Sequence, residues 1–566
     1  MRLAKTSILW LLPVIAWIIS CIPFLYLGYP KGHDWIFELV RVAEYRYAWE
    51  AGQGLFPFWA GNVYGGYGSP AFLFYAPLFS ASAALLSYLT FDFGLASTIT
   101  LAVFSGVGGV GIYLLARLCL DGRDEDGQAA ARIGAVFFLL NPYLLCDKFL
   151  RNANAEFIAL SLVPFALCGV MLVGRYPLKG ALMIGSGLAG VLLAHNLTAL
   201  VCLALILGIF IPVMILNPSI KTVRSVSGGV GLGMGLAAFF WVPAFFLRKY
   251  ANMQDLVTGK FNFHNQFQSL SDVFSYEQFY AVGILPLLIF TAALGALNFG
   301  MKSAQEYKPL LSATLIMAGL FVFLITAGSV LFWENTPLMG YFQFPWRMLG
   351  PVALILSVAA ALTYKILMHG RSRKLRIIVE VIIFLLCILN AIPGLIKTEP
   401  LDNLVKTNLP NILTEESIRE NRLKVTVGDE YLPRAANRNA WVRKGLYARA
   451  VSDSRIRSAV TEFDGGGHQF SFYFTSPNAG LLPIGRWNFP AWTVLVNGEP
   501  VKPRSNPDGT FSVEVPRGRS RVECEYQPPV IRWQSQMLSS VAVLIFLGLT
   551  VVVLRKITTL PVKNPP

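Results

Sequence analysis

The chain has 566 residues, 55% of them hydrophobic and only 14% charged, with a formal net charge of +15. A soluble protein of this size carries roughly 25% charged residues, so no part of about the first 400 residues reads as a soluble domain. Repeated apolar runs near the ~20-residue spanning length account for the shortfall, and the basic excess reads as Lys and Arg gathered in cytoplasmic loops, with nothing resembling a nucleic-acid-binding module.

The start, MRLAKTSILWLLPVIAWIISCIPFLYL, has a basic tip and an apolar run longer than a cleaved signal. It is expected to be an uncleaved first span over 7–28. Further spans are expected at 94–118, 132–146, 157–174, 181–194, 197–216, 226–247, 280–299, 309–331, 347–368, 377–395 and 536–555. The segment 71–90 is apolar enough to cross, but crossing would put the HGRSRKLR loop outside, against the positive-inside rule. It is therefore expected to lie in or dip into the outer leaflet. About twelve spans result, with both termini inside and two large external parts. The predicted organisation is a transmembrane module over 1–395, with a first external loop at 29–92 and a lid loop at 248–279. A β-rich extracytoplasmic domain at 396–535 and a last helix with a cytoplasmic tail at 536–566 complete it. In the β-rich stretch, WTVLVNGEPV alternates around Asn497-Gly498, a hairpin signal, and FSVEVPRGRSRVECEY repeats the pattern around Pro516, Arg517 and Gly518. A β-sandwich or jelly-roll-like cap is expected. The seven Cys show no metal or disulfide spacing and read as small core residues.

Ionisable groups are costly at membrane depth and need a partner, a cavity or a task. Those at the expected external ends of spans are few. Asp34, with His33 beside it, follows the first span; it reads as a helix cap or as a carboxylate at the bundle mouth that acts as general base or metal ligand. Asp147, Lys148, Arg151 and Glu156 follow the third span. Asp147 and Arg151 stand i,i+4 and can pair; alternatively Asp147 faces Asp34 while Arg151 or Lys148 holds a phosphate. His195 sits in a short turn between spans, Lys249 opens the lid loop, and Arg347 lies beside Trp346 at the start of a span. The stretch GQGLFPFWAGNVYGGYGSPAFLFYAP suits an aromatic groove for a lipid or sugar, or irregular loop packing. No Walker A, GxGxxG, HExxH or paired CxxC is present, which disfavours an ATP-driven pump or a zinc protease.

GHDW, YGGYGSPAFLFYAPL, DKFLRNANAEF, AHNLTAL, QFPWR, EYLP at 430–433 and FPAWTVLVNGEPV together resemble a bacterial family of large membrane proteins often labelled "6-pyruvoyl-tetrahydropterin synthase-related". Nothing in the chain resembles a soluble pterin enzyme with its His-rich zinc site. The layout is also similar to the GT-C glycosyltransferase superfamily. That resemblance implies a mainly α, polytopic bundle in the bacterial inner membrane, with the active site facing the periplasm or cell exterior. It implies a polyprenyl-phosphate sugar donor and an envelope glycan, lipid or protein acceptor. It also implies an essential acid in the first external loop, matched by Asp34, and a second in the next, matched by Asp147. Many relatives have two adjacent acids where Asp34 is flanked by His33 and Trp35, so a divalent metal held by Asp34, Asp147 or His33 is an open expectation. The phosphate is expected to meet Arg151, Lys148, Lys249 and Arg347, with Glu156 and His195 nearby. The alternative is a non-catalytic transporter or assembly factor for envelope glycolipid or polysaccharide.

Overall fold

The structure is a computed structural model that describes residues 9–120, 124–216, 218–275, 282–298, 305–436, 460–527 and 529–558. The basic N-terminal tip and the last eight residues, both used in the orientation argument, lie outside these, as do 276–279 of the expected lid loop. Among the described residues nine helices are long and apolar enough to cross a membrane, or ten if one bent pair counts as a single span. The two remaining expected spans correspond to shorter apolar helices, Leu11–Leu27 and Leu285–Asn298. At the centre is the span Glu125–Arg151, whose apolar window is fully buried. It breaks where Asn141 caps Pro142, and it ends in a π-helical turn, Asp147–Arg151.

The expected span 226–247 is not one straight helix. Ile220–Leu236 and Ala238–Tyr250 meet at 72°. Such a break frees backbone groups that lipid cannot satisfy. Ser539, on the terminal helix Val530–Thr558, supplies the missing partners: its hydroxyl donates to the Gly235 carbonyl and accepts from Phe239 N–H, both at 2.9 Å.

The segment 71–90 forms a short turn and the helix Leu78–Thr90, which rises about 20 Å against the ~30 Å of hydrocarbon. The two ends of the first loop meet, since a Cβ on Gly94 would lie 3.6 Å from Tyr29 Cβ. At the opposite end the two loops expected on the cytoplasmic side meet each other. Arg373 pairs with Glu125 at 3.2 Å, Arg376 with Asp126, and Arg132 holds Glu380 through bonds of 2.6 and 3.0 Å.

The C-terminal domain contains β1 (Val460–Gly466), β2 (Gln469–Ser476), β3 (Gly480–Trp487), β4 (Trp492–Val496), β5 (Glu499–Pro500), β6 (Arg504–Ser505), β7 (Thr510–Val515) and β8 (Gly518–Tyr526). An antiparallel sheet β1-β2-β8-β4-β5 is packed on a sheet β3-β7-β6, with Trp492 and Phe511 touching across the layers at 5.5 Å. Asn497 and Gly498 have φ of 55° and 84°, as a two-residue type I′ hairpin requires, and Val496 pairs with Glu499. The second expected hairpin is different: β7 and β8 lie in different sheets, so Pro516 and Arg517 form an arch between layers. Alternation is the same for a strand in either sheet, so the pattern alone cannot separate the two. Much of the aromatic stretch after the first span is packing, while its end, Phe74 to Ala76, lines a cavity. Trp59 meets Tyr526 at 4.6 Å and Tyr67 meets Trp487 at 4.9 Å, which fastens the first loop to the β-domain.

Candidate functional site

Two loops expected to converge do so through their backbones. His33 and Asp34 N–H donate to the carbonyls of Leu150 and Arg151 at 2.9 and 3.1 Å. The contact depends on Gly32, where a Cβ would lie 2.0 Å from Asn152 Oδ1 and 2.7 Å from the Leu150 carbonyl oxygen. This clip joins the exit of the first helix to the π turn Asp147–Arg151, a form of helix defect frequent at functional sites.

Beside the clip is a cavity of about 870 Å³. Asp34, Arg41, Arg151, His195, Arg347 and Glu430 line its polar side, and His33 lies at its edge. Leu197, Leu200, Leu203, Met234, Trp241 and Phe245 line an apolar side, on the helix Asn196–Leu216 and on the bent pair. The broken helix thus turns aromatic and aliphatic side chains to a chamber whose lining is more apolar than polar.

Asp34 occupies the cap position of the helix Trp35–Glu50, but its side chain makes no capping bond. Its carboxylate, half-buried, makes no hydrogen bond or ion pair among the described residues. One turn later the charges cancel. Arg41 pairs with Glu38 and donates to the Tyr75 hydroxyl at 3.0 Å, and Tyr75 donates to Glu38 Oε1 at 3.1 Å. Burial pushes the Glu38 acid up to about 7 against the pull of Arg41.

Asp147 is placed otherwise than expected. It is fully buried, paired with Arg151, and does not line the cavity. Arg151 also reaches Glu156 Oε2 at 3.1 Å, Arg347 Nε approaches the same oxygen at 3.4 Å, and Tyr143 donates to Glu156 Oε1 at 2.8 Å. Arg151 lies over the Trp346 ring at 4.4 Å. Two acids and two guanidinium groups therefore close on one another behind the cavity wall. A carboxylate cut off from water needs such a counter-charge, so Asp147 is not a second open acid facing Asp34.

Lys148 points away from the cavity. Successive helical residues are about 100° apart, and its Nζ donates to the Ser20 carbonyl at 2.5 Å beside the Phe149 ring. It cannot hold a phosphate there. Lys249 likewise stands against Tyr250, while the neighbouring Arg248 lines the cavity with Lys260. Glu156 sits behind the wall with Asp147. His195 Nδ1 lies 2.8 Å from the Thr198 hydroxyl and accepts from Thr198 N–H at 3.3 Å, which leaves Nε2 to carry the proton of the neutral ring. The expected metal ligands are not gathered, since Asp147 is committed to Arg151. Among the described residues no group of three or more His, Cys, Asp or Glu is arranged to hold a metal ion. Arg248 stands beside Lys249 among the sequence candidates at the lid loop, whereas Glu430 and Tyr75, inside the EYLP and YGGYGSPAFLFYAPL motifs, carried no role of their own in the sequence reasoning. Glu430 and Arg248 lie in or next to long loops, where no periodicity marks which side chain turns inward.

No family model matches the chain, and no curated protein matches it. Among solved structures, the arabinofuranosyltransferase AftD from mycobacteria aligns at 18% identity over 68% of this chain and 26% of that one, with a TM-score of 0.41. The apo oligosaccharyltransferase of Archaeoglobus fulgidus aligns at 12% identity over 76% and 62%, with a TM-score of 0.43. The same archaeal enzyme, AglB, in complex with an inhibitory peptide and a dolichol-phosphate aligns at 13% over 76% and 61%, with a TM-score of 0.42. The chain spans about a quarter of the first protein and about three fifths of the second.

Proposed function

We propose that this chain is an integral-membrane glycosyltransferase that moves a sugar from a polyprenyl-phosphate donor to an envelope glycan, lipid or protein acceptor at the extracytoplasmic face. The observation that carries this reading is Asp34: an acid with no hydrogen bond or ion pair among the described residues, in the lining of a large cavity that mixes charged and apolar side chains. Such a lining suits an amphiphile whose head reacts while its chain lies against Leu200, Leu203 and Phe245.

In this reaction the acceptor oxygen attacks the anomeric carbon and Asp34 takes the hydroxyl proton. The bond from that carbon to the phosphate oxygen breaks, its electron pair stays on the phosphate, and the configuration inverts. Positive charge for the leaving phosphate is available from Arg248 and Lys260, which form no ion pair among the described residues. Arg151 and Arg347 add donors from the wall, their charges already shared with Asp147 and Glu156. Among the described residues Asp34, His33 and Asp147 are not gathered into a ligand set, and Asp34 is the group placed to take the proton.

The test is glycolipid and glycan profiling of a deletion strain carrying the wild-type chain or Asp34→Asn at equal abundance. The wild type should restore a missing glycan and Asp34→Asn should not. A normal profile with Asp34→Asn removes Asp34 as the base. Reporter fusions that place residue 450 in the cytosol overturn the sidedness.

A further inference from the structure

Residues 423–434 form a strap across the cavity mouth. On one side Tyr64 N–H donates to the Leu423 carbonyl at 3.0 Å, and Arg41 donates to the Val425 carbonyl. On the other, Asn252 N–H donates to the Leu432 carbonyl at 3.0 Å, and Arg434 N–H to that of Tyr250 at 2.9 Å. Tyr431 stacks on Phe74 with centroids 5.5 Å apart. The strap is thus pinned to both the first loop and the lid loop, and Gly428, Glu430 and Tyr431 face the cavity between the pins.

Glu430 is the residue this arrangement does not explain. Its Oε2 is shut off from solvent and has no partner in hydrogen-bond geometry among the described residues, although the Thr426 hydroxyl, also unpartnered, lies near enough to pull the acid down. Its neighbour Asp429 is held by Lys424 at 2.9 Å through one oxygen, its other oxygen also lacking a partner. Gly428 leaves room for the open oxygen, since a Cβ there would lie 2.9 Å from it. Arg41, a cation on this side of the cavity, gives its two terminal nitrogens to Glu38, Tyr75 and Val425 and acts on Glu430 only through its field. An orphaned buried carboxylate oxygen is costly and calls for a partner. No third His, Cys, Asp or Glu joins it to make a cation site among the described residues. Burial raises the Glu430 acid, and a carboxyl group in that state can accept from a hydroxyl or donate to one. Sugar hydroxyls do both.

We infer that Glu430 is the acceptor-positioning carboxylate, hydrogen-bonded through Oε2 to a hydroxyl of a sugar-like acceptor held between the strap and Asp34. This rests on the glycosyl-transfer reading above and names its acceptor-side contact. The role is to hold the acceptor, so it acts on acceptor binding rather than on bond breaking.

The experiment uses the full chain in lipid nanodiscs. A polyprenyl-phosphate-sugar extract serves as donor, and an envelope glycolipid extract from a deletion strain is titrated as acceptor. Glu430→Gln should raise the apparent KM for the acceptor extract about tenfold, with kcat within about threefold, the exchange of a charge-assisted hydrogen bond for a neutral one. Glu430→Asp should fall between the two, and Asp34→Asn should lower kcat instead. Unchanged kinetics in Glu430→Gln, or a fall in kcat at constant KM, overturns the inference. Should Glu430→Gln not fold, as judged by its unfolding midpoint, Glu430→Asp decides: wild-type KM rejects the role. A wild type inactive on both extracts sinks the transfer reading and this inference together. An active wild type with indifferent variants sinks the inference alone.

Discussion

Asp34 and Asp147 look alike in the sequence, each an acid just past the end of an apolar run, yet the structure gives them opposite lives. Asp147 is sealed inside a cluster with Arg151, Glu156 and Arg347 whose formal charges cancel. Asp34 lines the cavity with no hydrogen bond or ion pair among the described residues. The difference teaches that at membrane depth an acid's role is set by whether a counter-charge has already claimed it. A claimed acid supports the fold, and an open one is available for chemistry.

The most severe way to break this contrast is to unbalance the cluster. Arg151→Met leaves two buried acids facing one guanidinium group, and should destabilise the protein by about 3–5 kcal/mol. Thermal unfolding in detergent or nanodiscs measures it. Adding Asp147→Leu to the same chain should recover much of the loss, whereas Asp34→Asn alone should leave the midpoint where it was. A stable Arg151→Met protein would remove the distinction between the two acids.

Next in size is the clip that holds both acids' loops together. Gly32→Ala drives a methyl into Asn152 and the Leu150 carbonyl, an overpacking that costs about 1–3 kcal/mol. Because the same clip sets the position of Asp34, transfer activity should fall along with the unfolding midpoint. Retained activity at a lowered midpoint would show that Asp34 does not need the clip.

Glu44 sharpens the comparison as an intermediate case. It is buried on the helix Trp35–Glu50, with one oxygen bound by Asn62 N–H at 3.0 Å and the other without a partner. Burial, opposed by that bond, pushes its acid from 4.5 up to about 7. The folded state then holds a proton that the unfolded state has lost. The contribution is fully present below pH 4.5 and disappears as pH rises through about 7. Stability should therefore decline across that window, and Glu44→Gln, which keeps an acceptor for Asn62, should flatten the decline. Unfolding midpoints between pH 4.5 and 8 provide the check, and parallel curves for the two proteins would reject the assignment.

The smallest effect is expected at the bent span. Ser539→Ala removes both bonds to the break between Gly235 and Phe239, a loss of about 1 kcal/mol on the scale of polar contacts between membrane helices. A lower midpoint with normal donor use would mark the bend as structural. A change in donor KM would tie it to the apolar wall.

Much of the architecture was legible before any coordinates. Apolar runs gave the spans, because a chain in hydrocarbon must bond its own backbone and stay apolar over ~20 residues. The asymmetry of Lys and Arg kept 71–90 from being read as a crossing, and Tyr29 and Gly94, at the two ends of the first loop, lie together. Asn497-Gly498 announced its hairpin through the positive φ that the turn demands. These are local rules, written within one helix or one turn.

The sequence by itself determined a polytopic, mainly helical chain with a β-domain near its end, and it singled out Asp34, Asp147, Arg151 and Arg347 as residues that could share a cavity, which all but Asp147 line. Tertiary structure alone decided which charges cancel, that Lys148 turns to Ser20, that β7 and β8 part into different sheets, and that Glu430 arrives at the mouth on a strap pinned at both ends. The physical reason is range. Periodicity and hydropathy report on neighbours a few residues apart, whereas a carboxylate's partner is set by whichever distant side chain the packing brings within about 3 Å.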